Sequence, residues 1–163
     1  VHNGEDAEEI YLADVLWYSP EDEEALGDAY SVDAAENARA LMEFREEMTS
    51  GECVLMLLSP QLYREVGEGL LPLSEVFGAD AVQISADGYS VRLGDTDFYS
   101  YFTAAKVLPE DTLICMRDVS KMKIYGEGKG AEADEKCRSV FRDIVNFVDP
   151  TPTDATSADD TAD

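Results

Sequence analysis

An unbroken apolar run at residues 53–58 (CVLMLL) is the strongest hydrophobic pattern in the chain. Gly51 precedes this run closely, and the pair Ser59-Pro60 follows it. A run this short between such boundaries is typical of a β-strand that is buried on both faces. Serine is a favoured helix N-cap, and proline suits the first helical position. We therefore predict a strand in the middle of a sheet that leads directly into a short helix.

Helical spacing of apolar residues marks two longer segments, residues 33–48 and 131–148. In each segment apolar side chains recur three and four positions apart, which predicts a helix with one buried face. Asp33 and Glu36 place a carboxylate at the expected cap of the first helix and another carboxylate three residues later, close to a capping box. Stripes of this kind indicate packing against a core rather than a cofactor site.

The remaining extended segments are shorter. Residues 9–19 alternate loosely and predict a strand near a sheet edge, residues 81–95 predict a hairpin around an Asp-Gly pair, and residues 112–116 predict a further strand. Ser74 is the expected cap of a second short helical turn. Alternating strands and helices predict an α/β domain over residues 1–148, with a small mixed sheet covered by helices.

Length and charge narrow the classes of protein that this chain can belong to. At 163 residues it has the length of one domain with or without a tail. Residues 149–163 contain no aromatic or large aliphatic side chain, so we predict a disordered acidic Thr/Ser/Pro tail there. The formal net charge is −24, from 36 acidic and 12 basic residues. This charge disfavours binding to nucleic acid or to an anionic membrane surface, and solubility is its simplest explanation.

The chain offers few groups for catalysis or metal binding. Its single histidine, His2, disfavours a Ser-His-Asp or Cys-His device. Cys53, Cys115 and Cys137 are too far apart for a CxxC metal motif, and buried thiols are the simplest interpretation, although one pair could bridge in an oxidising compartment. The acids at 21–24 lack the spacing of a Ca²⁺ loop. We predict no metal site, no cofactor and no enzymatic activity.

Aromatic residues are concentrated between residues 96 and 105. Tyr99 and Tyr101, with the carboxylate of Asp97, have the residue types of a carbohydrate-binding platform. The simpler interpretation is a helical turn whose rings fill the core while the tyrosine hydroxyls reach the surface. We favour this structural interpretation because exposed aromatic rings indicate a binding site only when they form a continuous patch.

The segment 51–77 (GECVLMLLSPQLYREVGEGLLPLSEVF) combines a Gly-acid pair, a strand, an aromatic-bearing short helix and a Leu-rich loop. In this it resembles the extracytoplasmic solute-binding proteins of ABC importers. The resemblance covers residues 34–77, with a weaker similarity at 89–95 and in the last helix. Those receptors are longer and have two lobes, so the resemblance implies a reduced form similar to one lobe. It also implies an extracytoplasmic location, at the cell surface or attached through an N-terminal membrane anchor.

Function is therefore expected to be binding without catalysis. Open α/β sheets bind ligands at the carboxyl ends of their strands, which favours a site for a small solute or an envelope protein where the 53–58 strand ends. The candidate binding residues are Ser59, Gln61 and Tyr63, followed by Asp97 and Tyr99. Each also has a simpler structural role as a cap, a solvated side chain or a core ring. The alternatives are an interaction or scaffold domain of a cell-envelope assembly without a small-molecule site, and an acidic inhibitor of a basic partner.

Overall fold

The computed structural model describes residues 14–27, 31–85, 87–125 and 130–150. Within these ranges the chain forms an α/β structure, a small sheet with helices around it, which confirms the predicted fold class. The elements in chain order are α1 Pro20–Leu26, α2 Ala34–Ser50, β1 Leu55–Leu58, α3 Pro60–Glu65, α4 Ser74–Phe77, α5 Ala81–Ile84, β2 Ser90–Arg92, α6 Asp97–Tyr101, β3 Leu113–Met116 and α7 Ala131–Val145.

In the described ranges the sheet has three strands in the order β1-β3-β2, and both pairings are antiparallel. The predicted mixture of parallel and antiparallel strands is therefore wrong, although the small size of the sheet agrees. Met56 lies opposite Cys115, and Val91 lies opposite Ile114. The central strand is β3, where Ile114, Cys115 and Met116 are each 0% exposed. It is the strand that is buried on both faces.

The predicted place of the 53–58 run in the middle of the sheet is wrong. The strand covers only Leu55–Leu58, and it lies at an edge of the sheet because, among the residues that the structure describes, β3 is its single strand partner. Met56 and Leu58 are buried, whereas Leu57 is 48% exposed. An unbroken apolar run indicates a hydrophobic strand, but it does not indicate how many strands flank it. The sequence alone therefore could not distinguish the edge strand from the central strand.

Helices cover both faces of this sheet. Successive side chains of a strand point to opposite faces, so Ile114 and Cys115 belong to different halves of the core. Ile114 packs in one hydrophobic cluster with Phe141 of α7, and Cys115 packs in the other with Phe44 of α2 and Leu62 of α3. The result is a three-layer arrangement, with α7 on one side of the sheet and α2 with α3 on the other.

A buried arginine joins α2 to the sheet. Arg117, directly after β3, is 4% exposed. Its guanidinium group donates to the backbone carbonyl oxygens of Glu47 at 3.0 Å, Met48 at 2.7 Å, Gly51 at 3.3 Å and Cys53 at 3.2 Å. These carbonyls lie in the last turn of α2 and in the segment that leads to β1. The Glu47 carbonyl also accepts from the amide of Gly51 at 2.8 Å, whereas a helix leaves most carbonyl groups of its last turn without intrahelical partners. Arg117 therefore satisfies them with a cation at the negative end of the helix dipole.

The two long helices and the cap of α3 agree with the sequence predictions. The carboxylate of Asp33 accepts from the backbone amides of Ala35 at 2.9 Å and Glu36 at 3.0 Å, which starts α2 at the predicted residue. Helix α7 begins as predicted and ends three residues earlier than expected, at Val145. The hydroxyl of Ser59 accepts from the backbone amide of Leu62 at 3.2 Å, so Ser59 is the N-cap of α3.

Three local predictions are wrong. Residues 81–95 form no hairpin, because residues 81–84 are helix α5, and β2 pairs with β3. Ser74 is not a cap, since α4 starts at Ser74 itself after Leu73 and has no side-chain cap bond. Residues 14–19 of the strand predicted at 9–19 form no strand, and residues 9–13 lie outside the described ranges. Residues 151–163 of the predicted tail also lie outside them.

The cysteines form no disulfide with one another. Burial raises the pKa of the Cys115 thiol to about 12, and the charge of the nearby Asp87 carboxylate adds to this effect. Cys115 is thus a buried neutral thiol that packs as an apolar side chain, as the sequence predicts. No helix in the described part of the chain is both long and apolar enough to cross a membrane.

Candidate functional site

The predicted site residues do not form one site. Ser59 and Gln61 line the same open groove at the carboxyl end of β1. Tyr63 is on the same helix, α3, but its hydroxyl bonds to Asp87 away from that groove. Asp97 and Tyr99 are on α6, and neither lines the groove of Ser59 and Gln61. The structure therefore keeps two of the five candidates together.

The groove at Ser59 has a volume of about 490 Å³ and is open to solvent. We name it the β1 groove. The rings and aliphatic side chains of Trp17, Tyr18, Leu26, Pro60 and Pro109 supply its apolar lining. Trp17 is half-buried because it also packs against the cluster of Phe44, so the indole is held in place by the core.

Three chain segments meet at the β1 groove for identifiable reasons. The antiparallel register places Leu58 opposite Leu113, which brings the turn before β3 beside the end of β1. That turn is closed by a hydrogen bond from the amide of Thr112 to the carbonyl oxygen of Pro109, at 3.1 Å. The third segment is the start of α1, where Ser19 and Asp22 form a complete capping box.

The polar side chains of the β1 groove include two carboxylates, Asp22 and Asp111, and the amide group of Gln61. The amide nitrogen of Gln61 donates to the Asp22 carboxylate at 3.2 Å, and the carbonyl oxygen of Gln61 is an acceptor. The Asp111 carboxylate has no hydrogen bond or ion pair with any residue that the structure describes. No lysine or arginine is among the described residues that line the groove.

Tyr63 belongs to a separate cluster of hydrogen bonds around Asp87. The Asp87 carboxylate accepts from the Tyr63 hydroxyl at 2.6 Å, the Ser90 hydroxyl at 2.9 Å, and the backbone amides of Tyr89 at 2.8 Å and Ser90 at 2.9 Å. Burial alone would raise the pKa of Asp87, but these bonds outweigh burial and lower it to about 2. Burial and the hydrogen bond to Asp87 raise the pKa of Tyr63. The pair connects α3 to the loop before β2, which is a structural role.

Tyr99 also has a structural contact. Its hydroxyl donates to the carbonyl oxygen of Leu108 at 3.0 Å, and its half-buried ring packs against the core. Asp97 is exposed in the first turn of α6, where a carboxylate is favoured by the helix dipole. Neither observation assigns a ligand to them.

An aromatic cluster forms where α6 meets the segment after α7, and the sequence indicated only its residues near α6. The rings of Phe98, Tyr101, Phe102 and Phe147 lie with centroids 4.7–5.9 Å apart. Tyr101 is 42% exposed and Phe102 is 39% exposed. Phe147 comes from the segment after α7, so its part in the cluster depends on the tertiary packing of α6 against α7.

Sequence reasoning missed Trp17 and Asp111 as neighbours of Ser59. They come from segments about 40 and 50 residues away along the chain, and no local pattern joins them. Among the described residues, no group of three or more histidine, cysteine, aspartate or glutamate side chains is arranged to hold a metal ion.

Comparisons with known proteins do not assign the chain to a group. No protein family matches the chain, and no curated protein or solved structure gives a significant match. The resemblance of residues 34–77 to solute-binding proteins therefore stays a prediction from the sequence.

Proposed function

We propose that this chain is a non-catalytic binding domain that holds an extended segment of a partner protein in the β1 groove. The observation that supports this most directly is the lining: the indole of Trp17 lies in one open groove with the acceptor groups of Gln61 and Asp111. Aromatic side chains with a few placed polar groups are typical of recognition surfaces.

The chemistry of the β1 groove favours binding over catalysis. A serine nucleophile needs an adjacent base, and the Ser59 hydroxyl instead accepts the amide of Leu62 as a helix cap. The carboxylate of Asp22 is held by Ser19 and Gln61. These side chains have positioning roles, which suit a surface that recognises a ligand without changing it.

The shape of the groove favours a protein segment. Sites for small solutes usually enclose most of the ligand surface, whereas the β1 groove is open. The edge position of β1 and the antiparallel sheet also remove the reason for expecting a receptor cleft, since that argument concerned parallel strands whose carboxyl ends meet. A partner segment can lie along an open groove and extend beyond it.

A small solute is the second candidate, and the volume of the groove favours it. About 490 Å³ falls within the range of small-molecule sites. Together with the resemblance to solute-binding proteins, it keeps the receptor-like function as a proposal. The extracytoplasmic location and the membrane anchor rest on that resemblance alone.

Trp17 provides a direct test because it is the single tryptophan of the chain. Excitation of tryptophan therefore reports on one wall of the β1 groove. Blocked peptides of varied composition and a set of sugars and amino acids would be titrated while tryptophan emission is recorded, with thermal shift as an independent measure of binding. We expect saturable emission changes with a subset of peptides.

The variants Gln61→Ala and Asp97→Asn separate binding in the β1 groove from binding at the candidate residues of α6. Gln61→Ala should weaken the emission response, and Asp97→Asn, on α6, should leave it unchanged. Ligands that raise the melting temperature without altering Trp17 emission would place the site elsewhere and refute the proposal. Saturable responses to sugars or amino acids alone would favour the solute candidate.

A further inference from the structure

The β1 groove combines negative charge, hydrogen-bond acceptors and an aromatic wall. Given a binding role for this groove, on which the inference rests, we infer that its occupant is an arginine-bearing segment of a partner protein, with the guanidinium group between Trp17 and Asp111. Three properties of the groove lead to this chemistry.

The first property is uncompensated charge. Asp22 and Asp111 line the groove without a lysine or arginine among its described lining residues. Two arginines outside the groove are paired with neighbouring glutamates: Arg64 is 2.9 Å from Glu21, and Arg92 is 3.6 Å from Glu110. The net charge of −24 adds a long-range field that attracts cations. A positively charged group is therefore the complementary occupant.

The second property is the supply of acceptors. The Asp22 carboxylate already accepts from one N–H of the Gln61 amide group, at 3.2 Å. The carbonyl oxygen of Gln61 and both oxygens of Asp111 remain to accept hydrogen bonds within the described part of the chain. Guanidinium has five N–H donors and no acceptor, so it matches these acceptors.

The third property is the aromatic wall. Trp17 and Tyr18 line the same groove as these acceptors. A guanidinium group stacks on aromatic faces and is more weakly hydrated than an ammonium group, so arginine suits this combination better than lysine does. The prolines Pro60 and Pro109 extend the apolar lining on which the methylene groups of an arginine and its neighbours can lie.

The test uses three probes on the full chain, with Trp17 emission as the readout. They are a blocked five-residue peptide with one central arginine, the same peptide with citrulline, its neutral isostere, and free arginine. All titrations are run at one ionic strength of about 50 mM, where exposed charges are weakly screened. We expect saturable binding of the arginine peptide and binding of the citrulline peptide that is weaker by about tenfold.

Two variants with the same change in net charge distinguish recognition from general attraction. Asp111→Asn should weaken the arginine peptide by about fivefold, because it removes the unpaired carboxylate from the groove. Asp80→Asn changes an exposed carboxylate on the 3₁₀ turn Gly78–Asp80, outside the groove, and should leave the affinity unchanged. Equal weakening by both variants would show attraction to the overall charge and overturn the inference.

The outcomes also separate this inference from the proposed function. Equal affinity for the citrulline peptide would overturn the cationic occupant, and equal affinity for free arginine would overturn the protein segment. In both cases Trp17 still reports binding in the groove, and the binding role stands. If neither these probes nor the varied peptides and solutes of the earlier test alter Trp17 emission, both proposals fail.

Discussion

Replacing Arg117 by methionine should destabilise the protein more than any surface change of the same charge. Methionine keeps an unbranched apolar side chain in the buried site but removes the guanidinium group. The backbone carbonyls of Glu47, Met48, Gly51 and Cys53 would lose their shared donor, and the Glu47 carboxylate would lose the cation 3.9 Å away. The variant therefore leaves several acceptors at the end of α2 with fewer partners.

The expected loss follows from two opposing effects. A hydrogen bond to a charged group contributes about 1.5–3 kcal/mol, and Arg117 donates to four carbonyl oxygens. The variant also avoids the cost of burying the guanidinium group, which offsets a large part of this sum. We expect a net loss of about 3–5 kcal/mol in the free energy of unfolding, as for other buried charges whose partner is removed. Domains commonly have only about 5–15 kcal/mol in total.

Urea unfolding followed by far-UV circular dichroism measures this loss, and a melting curve should show a decrease of about 6–20 °C. Arg39→Met is the matched control, because it makes the same substitution at an exposed pair, 3.7 Å from Glu43. The control should change the unfolding free energy by less than about 0.5 kcal/mol. A loss below about 1 kcal/mol for Arg117→Met, or equal losses for both variants, would refute the role given to Arg117.

Two further predictions concern the acid response and the sheet. The pKa of Asp87 is about 2 in the folded protein against an ordinary 3.8, so its contribution is complete above pH 4 and is lost as the pH falls toward 2. Between pH 5 and 2 the unfolding free energy of Asp87→Asn should fall by about 1 kcal/mol less than that of the unchanged protein, a value reduced because Asp87 is exposed to solvent. The same pH profile for both proteins would contradict this. Ile114→Ala, in the central strand, should cost about 2–5 kcal/mol, whereas Leu57→Ala, at the exposed edge, should cost less than about 1 kcal/mol. Equal losses in urea unfolding would contradict the assigned strand order.

The sequence by itself determined the elements whose signals are local. Helix α2 begins at Asp33 because the carboxylate bonds to amides two and three residues later. The Ser59 cap of α3 depends on a bond of the same short range. The apolar spacing of α7 and the hydrophobic run of β3 likewise need no distant partner to be recognised. In such elements, the residues whose interaction stabilises the structure lie within a few positions of one another in the sequence.

Tertiary structure decided the arrangement of these elements. β1 lies at the edge because β3 pairs with β2 on its other side. β2 lies more than 30 residues from β1 along the chain. The loop before β2 is held by a carboxylate, Asp87, whose partner Tyr63 is 24 residues distant, so an Asp-Gly pair that predicts a hairpin turn adopts another conformation.

The same distinction holds for the candidate site. Ser59 and Gln61 were predicted because they directly follow a strand. Trp17 and Asp111 join them only because the antiparallel register and the start of α1 bring three distant segments to the end of β1. Hydrogen bonds and caps act over a few residues, whereas packing brings together residues that no local pattern relates. The sequence therefore determined which side chains were available, and the tertiary structure decided which of them face the same groove.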